Sequence, residues 1–168
     1  MKKYELTTNT KMLFGRKLFQ IKALVSFGDV TAGDLGGYIE KEENLSHDGD
    51  AWVYDRALIF GDAKVSGDAR VYGDAQVYGD ALVSGDARVS GNADYICFKG
   101  FGSVNRNTTM FRTKNGDVYV RCGCFAGNLK EFSEKVKETH GSSKYAKEYL
   151  ECVEAAKIHF EIGEKDDK

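Results

Sequence analysis

Proline is absent from all 168 residues while glycine occurs 19 times, so tight turns must be made by Gly, Asp and Asn. No run of 18 apolar residues occurs, which excludes a membrane-spanning helix. Met1-Lys2-Lys3 is followed by no apolar stretch, and the N-terminus therefore does not read as a signal peptide. The four cysteines lack C-x2-C spacing, which removes the usual zinc and redox readings and leaves reduced thiols of a cytoplasmic protein. Cys122 and Cys124 lie two apart on an expected strand, so both should face one way. A formal charge of −2 provides no general attraction for nucleic acid.

What is abundant is one phrase. From residue 61 to 91 the chain reads GDAKVSGDARVYGDAQVYGDALVSGDARVSG, Gly-Asp-Ala-x-Val-(Ser/Tyr) at a period of six. Six matches neither 3.6 nor 3.5, so a helix is excluded and a solenoid is indicated. Ala and Val, two apart, face the same side of an extended chain. The pairs Ala51/Val53, Ala63/Val65, Ala69/Val71, Ala75/Val77, Ala81/Val83 and Ala87/Val89 are the expected interior. Gly takes positive φ at each corner, and Asp bonds a nearby backbone N–H. Hexads start at Gly49, Asp55, Gly61, Gly67, Gly73, Gly79, Gly85 and Gly91, and weaker ones at Gly37 and Glu43 place Ile39 and Leu45 in the alanine slot.

The pattern Val-x-x-x-Ala-x resembles the hexapeptide motif of left-handed parallel β-helices. The likeness covers residues 37–96 and implies a mainly β fold, a triangular prism with three hexads per coil. The family includes acyltransferases, carbonic anhydrases and non-enzymatic scaffolds, so fold alone assigns no activity. Residues 1–36 are expected to cap the prism with a strand over residues 16–25 and turns at Gly33-Asp34 and Gly36-Gly37, covering strand edges that would otherwise template aggregation. The stretch from residue 27 to 55, FGDVTAGDLGGYIEKEENLSHDGDAWVYD, resembles the entry region of uncharacterised β-helix proteins of bacteria and their phages. Residues 97–168 form a small α+β C-terminal module. Lys114-Asn115-Gly116-Asp117 joins strands 109–113 and 118–122 as a hairpin. Asn128 caps a helix over LKEFSEKVKETH, and a second helix runs from about residue 143 to 160. KETHGSSKYAKEYL also resembles tails of phage-encoded proteins.

Chemistry is sparse. Hexapeptide acyltransferases generally use a His general base beside a groove between neighbouring prisms of a trimer. His47, His140 and His159 are the chain's histidines, and His47, the one near the prism, is the catalytic candidate. The carbonic-anhydrase arrangement needs three histidines on one metal, which the coils do not provide. No metal site and no cofactor is expected. At 18 residues per coil, Asp50, Asp68 and Asp86 stack at one corner and Asp62 and Asp80 at another, about 4.8 Å apart. This acidic ladder reads as turn chemistry or as a phosphate-backbone mimic. Trp52, Arg70 and Arg88 form an outward column beside Tyr54 and Tyr72, and Phe60 and Tyr78 lie on a second face. Lys64, Ser66, Leu82 and Ser84 form a third, smaller and more polar face. Trp, Tyr and Arg are enriched at binding hot spots.

These observations, with the phage likeness, lead to the expectation of a non-enzymatic binding protein. It would present a rigid surface to inhibit or sequester a host protein or protein–nucleic-acid complex, for example as an anti-CRISPR-like counter-defence inhibitor. The acidic corners argue against direct nucleic-acid binding, and the aromatic faces call for cover, either by the terminal segments folding back over them or by another chain, with a homo-oligomer (dimer or trimer) expected. The alternatives are a hexapeptide-repeat acyltransferase-like enzyme and a purely structural oligomeric assembly protein.

Overall fold

The structure is a computed structural model that describes residues 1–163. The chain divides into two compact units, Met1–Asn92 and Ala93–Lys168.

The first unit is a parallel β-solenoid. Seven two-residue strands follow at intervals of six: β4 (Trp52–Val53), β5 (Leu58–Ile59), β6 (Lys64–Val65), β7 (Arg70–Val71), β8 (Gln76–Val77), β9 (Leu82–Val83) and β10 (Arg88–Val89). The first four pair in parallel with the strand 18 residues on: Val53 with Val71, Ile59 with Val77, Val65 with Val83, Val71 with Val89. One coil therefore contributes a strand to each of three sheets. In the hexads that start from Gly49 to Gly85 the Ala and the Val (Ile59 in the second) are fully buried, so the core is a stack of alternating small and branched side chains. Burying one Val contributes about 1.5–3 kcal/mol, and the repeat multiplies that.

Glycine is required at the corners for two reasons. At Gly67 φ is +67°, and a Cβ there would stand 2.8 Å from the backbone N of Gly85 in the next coil. Asp55 replaces glycine at one corner and adopts φ +51° itself, a conformation Asp tolerates better than most residues.

Neighbouring coils are joined by parallel-sheet backbone hydrogen bonds; Trp52, Leu58, Lys64 and Arg70, for example, donate their N–H to the carbonyls of Ala69, Ala75, Ala81 and Ala87 in the next coil. At the N-terminal end, where no earlier coil supplies donors, three devices meet carbonyls of the first coil. Strand β3 (Leu35–Ile39) adds to β5, with Tyr38 N donating to Ala57 O and Glu40 N to Ile59 O. The buried amide of Asn44 donates to Gly61 O and Ala63 O at 3.0 and 2.8 Å. The Lys3 ammonium donates to Gly49 O and Ala51 O at 3.0 and 2.9 Å and lies 4.6 Å from the Phe27 ring centroid. At the other end, Asn92 Oδ1 accepts from Gln76 N at 2.8 Å.

Three expectations need correction here. Gly36 and Gly37 lie in β3 rather than in a turn; a Cβ on Gly36 would be 2.5 Å from Val53 O, and one on Gly37 2.6 Å from Ala57 O. Ile39 and Leu45 occupy the valine slot, pairing with Ile59 and Val65, and Gly37 lies beside Ala57. The strand expected at 16–25 is β2 (Arg16–Ala23), and it pairs antiparallel with a further strand, β1 (Tyr4–Leu13). Together these extend one face into the sheet β1-β2-β3-β5-β8.

The second unit is a meander, β11 (Tyr95–Phe101), β12 (Arg106–Arg112), β13 (Val118–Cys122) and β14 (Phe125–Asn128), followed by α1 (Leu129–His140) and α2 (Lys144–His159). The Asn115-Gly116 turn joins β12 to β13, with Gly116 at φ +84°. Asn128 and Glu131 form a reciprocal capping box at 2.9 and 2.8 Å, and Ser143 Oγ accepts from Ala146 N at the start of α2. Met110 and Val120 from the sheet pack with Phe132, Val136, Tyr149 and Val153 from the helices. Cys122 ends β13 and is buried, whereas Cys124 lies exposed in the following turn. The strand expected to carry both cysteines ends at Cys122, because Gly123, at φ +59°, turns the chain between them.

Candidate functional site

The outward column of the solenoid is covered from within the first unit. Trp52 is 1% exposed, packed edge-on against Tyr4 at 6.1 Å and Phe27 at 5.4 Å. Tyr54 donates its hydroxyl to Asp29 at 2.8 Å, and the Arg70 guanidinium bonds both Asp29 and the Tyr54 oxygen. Burial, reinforced by the bond to Asp29, pushes the Tyr54 phenol up to about 12. The Arg70 guanidinium holds the Asp29 carboxyl below its usual range. Arg88 sends Nη1 to the carbonyls of Ala87 at 2.8 Å and Asp68 at 3.0 Å, so it clamps a corner. Tyr72 is half-buried. On the second face Phe60 stacks on Tyr78 with centroids 5.1 Å apart, and Tyr78 is 52% exposed. Of the seven candidate contact residues on the two faces, Tyr78 alone is exposed. Cover by a terminal segment is one of the two alternatives expected; repeat spacing does not say which residues provide it, since Phe27 and Asp29 come from an irregular segment.

Corner carboxylates serve the backbone and its cations. Asp68 Oδ1 accepts from Asp50 N at 3.4 Å, and Asp62 pairs with Lys41 at 2.7 Å. Asp80 and Asp86 also have partners within the chain. Among the described residues, no group of three or more His, Cys, Asp or Glu side chains is placed to hold a metal ion.

His47 lies in the corner that precedes the first regular coil. Its Nδ1 accepts from Lys3 N at 3.1 Å and its Nε2 faces Glu42 Oε1 at 2.7 Å. That pairing places the proton on Nε2, which donates to Glu42. The ring also stacks on Tyr4 at 4.3 Å. Lys2 and His47 together hold the Glu42 carboxyl below its usual range. A general base needs a free acceptor nitrogen within reach of substrate; both nitrogens of His47 are engaged, and the residue fastens the N-terminal strand. His159 is similarly engaged, with Nε2 2.9 Å from Ala93 O.

The third face belongs to β6 and β9. It presents exposed Lys64, with half-buried Ser66, Leu82 and Ser84.

A family model described as "YdcK Beta solenoid repeat" matches residues 63–79 and 75–91. Those are the hexads that build the second half of the solenoid. A segment of 47 residues is 47% identical to a protein of Escherichia coli (strain K12) called "Uncharacterized acetyltransferase YdcK". It covers 27% of this chain and 14% of that relative, so the chain spans about a seventh of the relative's length. The expectation of a phage-borne inhibitor directed at a host defence protein is overturned by this likeness, which points to the acyltransferase-type alternative. No helix among the described residues is long and apolar enough to cross a membrane. The repeats are β-solenoid repeats similar to those of the acetyltransferase-named relative.

Proposed function

We propose that this chain is a left-handed, three-sided hexapeptide β-helix of acyltransferase type that binds an acyl donor of the acyl-coenzyme A class along the solenoid. The observation that carries the reading is the match of residues 63–91 to the solenoid repeat of an acetyltransferase-named relative. The donor lies along the third face, where short Ser66 and Ser84 leave room for a slender pantetheine-like arm and Lys64 offers a cation to phosphate. The other two faces are used within the chain: one carries the added strands β1, β2 and β3, the other the cover from Phe27 and Asp29. A second copy completes the groove, as hexapeptide enzymes form theirs between neighbouring prisms, and a trimer is the assembly this reading requires. His47 has a fastening role in it, so the acceptor's proton leaves to another base.

The test is release of free coenzyme A from acetyl-coenzyme A, followed chromatographically over a panel of amine and alcohol acceptors, alongside the native mass. Turnover by a trimer, reduced by Lys64→Glu, is expected. A monomer that releases no coenzyme A with any acceptor contradicts the reading.

A further inference from the structure

The second unit contains a cavity of about 340 Å³ between α1, α2 and the turn after β13. Its walls are apolar, with Phe125, Phe132 and Val136 side by side; Phe125 and Phe132 stand 5.2 Å apart. Three basic side chains, Arg106, Lys135 and His140, share the lining, and no carboxylate does. In a chain with more acidic than basic residues, that arrangement has a sign. Ligand sites are mostly apolar concavities with a few convergent polar groups, and this one matches that description: Lys135 pairs with Glu138 at 2.9 Å, which leaves the Arg106 guanidinium beside the neutral Ser103, Thr139 and Tyr149.

Arg106 is positioned by an absence. The space a Cβ would take at Gly123 is filled by the Arg106 guanidinium, with Nη1 1.6 Å from the ideal Cβ position. Gly123 has φ +59°, so both its backbone and its missing side chain admit the arginine beside the cavity. No carboxylate among the described residues forms an ion pair with Arg106 in return. The inner wall is a set of neutral donors and acceptors already committed to one another. Thr108 Oγ1 donates to Cys122 Sγ at 3.2 Å, and the Cys122 thiol donates to the Tyr149 hydroxyl at 3.9 Å. Tyr149 donates onward to Phe101 O at 3.3 Å. Burial pushes the Tyr149 phenol up to about 12, so the phenol adds no negative charge at neutral pH.

From this geometry we infer a binding site for a small organic anion, a carboxylate on a compact aromatic or aliphatic body, with the anion on Arg106 and the body between Phe125, Phe132 and Val136. A guanidinium accepts a carboxylate through two parallel hydrogen bonds, and the flanking rings take the apolar part out of water. The site is separate from the acyl-donor reading of the solenoid, and its probes carry no acyl donor, so either can fail alone.

Exposed Cys124 lines the cavity, whereas Cys97, also exposed, does not. Alkylation of the full chain by iodoacetamide, read peptide by peptide by mass spectrometry, therefore reports occupancy with an internal control. Phenylacetate is expected to slow alkylation of Cys124 and leave Cys97 unchanged. Phenylacetamide, the neutral isostere, should need roughly tenfold more for equal protection, because it lacks the charge-assisted pair. Arg106→Gln, an exposed position whose loss leaves the core intact, should raise the protecting concentration of phenylacetate by a similar factor. Equal protection by acid and amide, protection unaltered in Arg106→Gln, or no protection of Cys124 at all would each overturn the assignment.

Discussion

Leu45 pairs with Val65, twenty residues further along, whereas Val53 pairs with Val71 after eighteen. The two additional residues fall in the corner between Leu45 and Val53, and that corner contains His47. The widened corner lets the His47 ring reach Lys3 N, Glu42 and Tyr4 at once. An imperfection in the repeat thus becomes the fastening of the N-terminal strand.

His47→Ala should therefore cost stability rather than chemistry. Losing two hydrogen bonds and a ring stack predicts a destabilisation of about 1–3 kcal/mol, read as a lower denaturation midpoint. Unchanged stability with loss of acyl transfer would instead return His47 to the catalytic role.

Asn44 satisfies two carbonyls that the missing preceding coil would have served. Asn44→Ala leaves Gly61 O and Ala63 O without those donors in a buried site, and about 2–4 kcal/mol of destabilisation follows. Asn44→Asp should be worse, since a carboxylate has no hydrogen to give and acquires a buried charge. Urea denaturation of the three proteins would show the order; an Asp variant as stable as the parent would refute the capping account.

Gly67→Ala tests the corner. It forces a Cβ into positive φ and to within 2.8 Å of Gly85 N, so about 2 kcal/mol or more should be lost. Gly79→Ala, where no atom lies within 4 Å of the added Cβ, should lose only the conformational part, about 1 kcal/mol. Equal losses at the two positions would mean that coil contact is not what demands glycine.

Burial pushes the Cys152 thiol up to about 11 from 9.0, and the sign of its linkage to stability follows. A group held neutral by the fold contributes stability that is fully present below its unfolded pKa and is lost as pH rises through the folded value. The second unit should therefore weaken by up to about 2–3 kcal/mol between pH 9 and 11 on this account. Cys152→Ala should flatten that slope, measured by chemical denaturation at each pH. Parallel profiles for the two proteins would show that Cys152 does not drive it.

The solenoid is legible because period six admits a single pattern of inward residues, and Ala63/Val65 and its repeats are buried as the alternation requires. The Asn115-Gly116 hairpin and the cap at Asn128 are equally local signals, and both appear. What was hidden depends on distant contacts. Ile39 and Leu45 are apolar and fit either slot, so only the pairing partners Ile59 and Val65 decide the register. Strand β1 carries a polar stretch from Thr7 to Lys11 with no apolar alternation, which conceals it. Trp52 reads as outward by alternation, and nothing near it in the chain announces that Phe27 and Tyr4 fold over it. The cavity beside Arg106 is similarly non-local: its arginine, its glycine and its rings lie on different elements.

The most direct test of the acyl-donor reading is a calorimetric titration of acetyl-coenzyme A into the protein and into Lys64→Glu. Saturable binding by the parent, weakened several-fold in the variant by loss of a phosphate-facing cation, is the predicted result. No binding by the parent at millimolar acetyl-coenzyme A would contradict it.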